Sequence, residues 1–109
     1  MSMARRDLSA QPYGQVQQIL DLLTAYERLH PQAQIEGRRH NPVSIRLRII
    51  DPDFQGMDRI ARESAIWKLL HQLPEEVFVN ITMLLLLTPE ETAHSLASQE
   101  FDHPIPSRV

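Results

Sequence analysis

Cysteine is absent from the 109 residues. That excludes disulfides, thiolate metal sites, a thiol nucleophile and Cys-held iron–sulfur clusters within the chain. Glycine is scarce, 3 residues against 8 prolines, so connections are stiffened rather than loosened. There is no Gly-x-Ser-x-Gly elbow, no phosphate-cradling glycine loop and no His-x-x-x-His pair. No enzymatic activity is therefore expected. Long apolar runs are also missing. The longest, Met83 to Leu87, falls far short of the ~20 residues that span a bilayer. Met1 to Gly14 has no apolar stretch of the kind a secretory signal needs. The expectation is a cytoplasmic protein without membrane contact. A net charge of -3 argues against a basic nucleic-acid binder and leaves only local patches to consider.

What is there is a globular composition, 42% apolar and 23% charged, on a length that suits one domain. The expected organisation is a polar N-terminal tail over 1–13, a domain over 14–98 and a C-terminal tail over 99–109. Val16, Ile19, Leu20, Leu23 and Tyr26 recur at three and four, which predicts an amphipathic helix from Gln15 to Leu29, stopped by Pro31. Ala33 to Glu36 reads as a short strand and Gly37 to Pro42 as a loop. Val43, Ile45, Leu47 and Ile49 alternate with Ser44, Arg46 and Arg48, the pattern of a strand with one buried and one wet face.

A stripe of Ile60, Ala61, Ser64, Trp67, Leu70 and Leu73 predicts a second helix from Asp58 to Leu73, with Trp67 in the core. Val77 to Leu87 reads as the longest strand. Its second half is apolar on both sides and so needs cover on both. Thr88-Pro89-Glu90-Glu91 is a capping box with proline at the first helical position, opening a short helix to about Ser98. The order is α-β-β-α-β. The first two strands should pair antiparallel, and the helical crossover should make the next pair parallel. The expected fold class is α+β, a three-stranded mixed sheet with helices packed on one face, which resembles a type II K-homology-like (KH-like) fold.

Several short motifs fall in fixed order along these elements. The strand Ile45 to Asp51 runs into Phe54-Gln55-Gly56, and the next helix carries Arg62 and the pair Ile66-Trp67. Val79-Asn80-Ile81 and Thr88-Pro89-Glu90-Glu91 follow. Over residues 15–92 this ungapped series resembles the BolA family. The resemblance implies a BolA-like, non-enzymatic regulatory or interaction module. Its partner would be a monothiol glutaredoxin, through a shared [2Fe–2S] cluster, or DNA in transcriptional and stress control. It also implies that His40 occupies the loop where the family carries a variable Cys or His ligand. Asn80 stands where the family has its third-strand His ligand, and the family's Arg-His-Arg helix motif reads Arg62-Glu63-Ser64. An amide oxygen is a poor iron ligand beside imidazole. The reading is a member that keeps the fold and has lost or changed the metal function, with no cofactor expected.

Arg38, Arg39, His40, Arg46 and Arg48 form the single basic cluster and are the expected contact residues for a partner or for nucleic acid. A solvated strand face is the plainer alternative. Gly56-Met57-Asp58-Arg59 lacks the second glycine of a K-homology clamp, so a nucleic-acid-binding protein would have to use the arginines. A structural homodimer built on the Leu84 to Leu87 strand is the third reading, and both monomer and homodimer stay open. Asp51, Asp53 and Asp58 lack the glycine and terminal glutamate of a calcium loop and read as turn and cap residues. His30 and His71 fall near helix C-termini, where a cation offsets the macrodipole.

Overall fold

The computed structural model describes residues 5–9 and 14–104. Chain order is β1 (Arg5–Asp7), α1 (Gly14–Leu22), α2 (Thr24–Leu29), β2 (Gln34–Asn41) and β3 (Ser44–Ile50). A 3-10 turn (Pro52–Phe54), α3 (Arg59–Leu70), α4 (Glu75–Phe78), β4 (Ile81–Leu87), α5 (Pro89–Thr92) and α6 (Leu96–Asp102) follow. The strands make one mixed sheet in the order β1-β2-β3-β4. β2 and β3 pair antiparallel, β3 and β4 parallel across the α3 crossover, and β1 adds to β2 in parallel. Among the described residues no helix is long and apolar enough to cross a membrane.

The alternation of β3 sets the layers. Ile45, Leu47 and Ile49 are wholly buried with Val16, Ile19, Leu20 and Leu23 from the first helices, Ile66 and Leu70 from α3, and Val77 from α4. Leu84 and Leu86 stand beside Leu47 and Ile49 in the parallel register and belong to the same core. Trp67 is half-buried against that core, with Phe78 edge-on at 5.5 Å. Ile60, at the start of the expected apolar stripe, is exposed instead.

Helices on one face alone is an expectation the structure corrects. α6 lies on the opposite face of the sheet, with its own Phe101 wholly buried against Arg48 of β3. Ser95 starts α6 by accepting a hydrogen bond from the Ser98 N–H at 3.0 Å. The C-terminal tail expected from residue 99 thus begins inside a helix. Phe101 is the one large apolar side chain that α6 buries, Leu96 being exposed, so no periodic stripe is there for sequence reading to detect.

The three-stranded count is corrected to four. β1 is three residues, Arg-Arg-Asp, inside the expected N-terminal tail. It has no apolar alternation, and polar contacts hold it. Arg5 donates to the Thr24 hydroxyl at 2.6 Å, to the Leu20 carbonyl at 3.2 Å and to Glu27 at 3.3 Å, while Arg6 pairs with Glu36. The same Arg5 guanidinium inserts at the junction of α1 and α2, where the single expected helix breaks at Leu23; side chains that enter the i→i−4 ladder bend helices in this way.

The loop expected over 37–42 is mostly strand. β2 runs to Asn41, with a register shift between Arg39 and Asn41, and the turn shrinks to Pro42 and Val43. Gly37 is a packing residue here and not a turn former. A Cβ there would lie 3.0 Å from Val16 and 3.3 Å from Leu47, so glycine lets α1 approach the sheet. The last strand begins at Ile81 and not Val77, because Pro74, Glu75 and Glu76 open α4.

Candidate functional site

Two of the motifs that carry the family resemblance, the Phe-x-Gly turn and the Thr-Pro-Glu-Glu segment, meet at the helix arginine. Arg62, on α3, donates to the carbonyls of Phe54 and Met57 at 3.0 Å each and of Leu86 at 3.1 Å. It also grips Glu91 through both carboxylate oxygens, at 2.6 and 3.2 Å. Glu91 is in turn the reciprocal partner of Thr88 in the capping box at the start of α5. Arg62 and then the Thr88 N–H hold the Glu91 carboxyl down at about 2. Gly56 takes φ 82°, the left-handed conformation glycine tolerates best. The Phe-x-Gly turn, the helix arginine and the Thr-Pro-Glu-Glu segment are therefore one joint between β3, α3, β4 and α5. It ties these four elements together, and Arg62 and Glu91 also line a cavity of about 670 Å³ beside Leu84–Leu87.

The five residues of the basic cluster separate. Arg48 is buried, not wet. It donates to Glu36 Oε1 at 2.7 and 2.9 Å, to the Ser98 hydroxyl at 2.8 Å and to Asp102 at 2.8 Å. Its guanidinium also stacks 4.5 Å above the Phe101 ring. Burial works against the Arg48 charge, but its hydrogen bonds to Asp102 and Glu36 and their negative charges outweigh it and raise its pKa. Arg46 donates to Glu100 at 2.7 Å with 16% of its side chain exposed. Arg38 is half-buried beside Phe101, and its Nε lacks a hydrogen-bond partner among the described residues. His40 is half-buried at the β2 register shift. The two β3 arginines are thus paired by α6 and by Glu36.

Arg39 faces the other way and helps to build a site. It donates to Gln15 Oε1 and to the Pro42 carbonyl at 3.0 Å. Asn80, just before β4, donates from Nδ2 to the same Gln15 Oε1 at 3.0 Å. Its backbone carbonyl accepts from the Ile45 N–H at 2.6 Å, which fixes the residue at the edge of the sheet. Gly14, Gln15, Gln18, Arg39, Asn41, Pro42 and Asn80 line an open concavity of about 870 Å³. Its chemistry is four side-chain amides and one guanidinium, with no carboxylate among the described residues. Arg39 and Asn80 were expected here as contact and former ligand positions. Gln15, Gln18 and Asn41 were not, because a lone amide on a helix or turn carries no signal in sequence. His40 is not among the lining residues.

Of the acidic residues expected in turns and caps, Asp58 accepts from the Ala61 N–H at 2.8 Å and starts α3, and Asp51 accepts from the Asp53 N–H at 2.9 Å and starts the 3-10 turn. Comparison with protein-family models, with curated proteins and with solved structures finds no match to this chain.

Proposed function

We propose that the chain is a non-enzymatic, BolA-like interaction module that binds a protein partner at the Gln15–Arg39–Asn80 concavity. The observation that carries the reading is the convergence of Arg39 and Asn80 on one amide oxygen beside an open concavity whose described lining holds no carboxylate. Asn, Gln and Arg present amide donors, amide acceptors and a guanidinium fork, which suit the main chain and acidic side chains of another protein. The family side of the reading is supported by the run of α1, β2, β3, α3 and β4, with the antiparallel and then parallel strand pairs, and by the Arg62 joint.

The residues present do not fit a [2Fe–2S] cluster shared at this place. The Asn80 amide is engaged by Gln15 and by the Glu76 carbonyl at 3.4 Å, and it supplies no imidazole nitrogen. His40 does not reach the concavity lining. The partner class offered by the resemblance, a monothiol glutaredoxin, is accordingly read as a protein contact without a bridging cluster. Isothermal titration of the full chain with a cluster-free monothiol glutaredoxin tests this. Saturable binding is expected, weakened about tenfold by Asn80→Ala or Gln15→Ala, the effect of losing roughly 1.4 kcal/mol of contact. Absence of binding, or binding indifferent to both substitutions, overturns it.

A further inference from the structure

At the other end of β3, where the chain leaves the sheet, the end of α2 brings a histidine against two aspartates. His30 Nδ1 lies 2.7 Å from Asp53 Oδ2 and 3.3 Å from Asp51 Oδ2. One donor atom from each residue falls within 4.8 Å of the others. We propose that His30, Asp51 and Asp53 bind a divalent transition-metal ion of the Zn²⁺ type.

Electrostatics points the same way as the geometry. Asp51 is wholly buried, and among the described residues no arginine or lysine pairs with Asp51 or Asp53. Two carboxylates therefore share one imidazole nitrogen, which can offer them a single proton. A dication in place of that proton neutralises both carboxylates and takes the ring nitrogen as a third ligand. With bonds near 2.0–2.2 Å, a tetrahedral site spaces its ligand atoms about 3.3 Å apart; His30 Nδ1 and Asp51 Oδ2 already stand at that separation, and small side-chain shifts bring the third ligand into line.

The surroundings hold the ligands in that arrangement. The Tyr26 hydroxyl donates to Asp51 Oδ2, and the Asp53 N–H occupies Asp51 Oδ1. The Tyr26 ring stacks on the His30 ring at 4.1 Å and 14°, which fixes the imidazole plane. Outer groups of this kind orient metal ligands and add to affinity. One imidazole with two carboxylates suits zinc-like ions better than calcium or magnesium, which prefer oxygen donors alone. Asp53 is 61% exposed on its side chain, so water completes the coordination.

The test uses the full chain, stripped with a chelator and titrated with Zn²⁺ by calorimetry, alongside thermal unfolding with and without the metal. One equivalent should bind and raise the Tm. Asp53→Asn, an exposed position that leaves the fold intact, should weaken binding at least tenfold, and His30→Gln should do the same. Binding should survive substitution of the exposed His94 and His103 by Gln. The absence of saturable binding overturns the proposal. So does binding that Asp53→Asn and His30→Gln leave unchanged, or binding that disappears with His94 and His103.

Discussion

The two faces of the sheet are built from opposite materials on the same strand. On one side of β3, Ile45, Leu47 and Ile49 enter an aliphatic core closed by α1, α3 and α4. On the other side, Arg46 and Arg48 enter a polar layer closed by α6, in which Glu36, Ser98 and Asp102 satisfy Arg48 around the Phe101 ring. The first face is held by area removed from water and tolerates any partner of the right shape. The second is held by a specific set of donors and acceptors, and losing one member leaves the rest stranded in a poorly hydrated space. A polar strand face is therefore not evidence of a wet one.

That contrast can be broken most sharply at Arg48. Arg48→Met leaves Glu36, itself 1% exposed, with Arg6 as its one remaining ion-pair partner and strips Asp102 of its own, and should cost about 3 kcal/mol in chemical denaturation. A loss below about 1 kcal/mol would mean the polar layer is solvated after all. On the apolar side, Ile49→Ala should cost about 2–5 kcal/mol through lost burial and the cavity left behind. Relieving both charges together, as in Arg48→Met with Glu36→Leu, should recover much of the first loss, whereas a second truncation on the Ile49 side adds to the damage.

Acid should separate the faces further. The Arg48 hydrogen bond lowers the Asp102 pKa, and Arg62 lowers that of Glu91 from 4.5 to about 2. A carboxylate depressed in the folded state stabilises the fold above its unfolded pKa and loses that contribution as pH falls toward the folded value. The contribution of Glu91 should therefore be complete from neutral pH to about 4.5 and be lost between there and about 2, with that of Asp102 lost in acid likewise. Asp102→Asn should flatten part of that decline in acid denaturation followed by circular dichroism. The smallest effect should come from Arg46→Ala at the rim, where the pair with Glu100 is partly exposed; about 0.2–1 kcal/mol is expected from the same denaturation experiment.

The contrast also explains what was legible in the sequence. The period of two in β3, the capping box at Thr88 and the crossover between β3 and β4 each leave a local signature, and the structure has all three. Gly37 and Asn41 looked like loop punctuation, since a glycine required by the approach of α1 is written with the same letter as one required by a turn. β1 and α6 join through Arg5, Arg6 and Phe101, contacts that no periodicity encodes. In the candidate site, Arg39 and Asn80 were singled out, while Gln15 joined them across 24 and 65 residues of chain. Long-range pairing of polar side chains is set by tertiary packing, so spacing along the chain cannot announce it.

The most direct test of the account asks which surface a partner touches. Amide chemical-shift mapping of the full chain during titration with a cluster-free monothiol glutaredoxin reads both surfaces at once. The account predicts shifts centred on Gly14, Gln15, Arg39 and Asn80, with Arg48, Glu100 and Phe101 unmoved. Shifts centred on α6 and the β3 arginines, or no shifts at all, would contradict it.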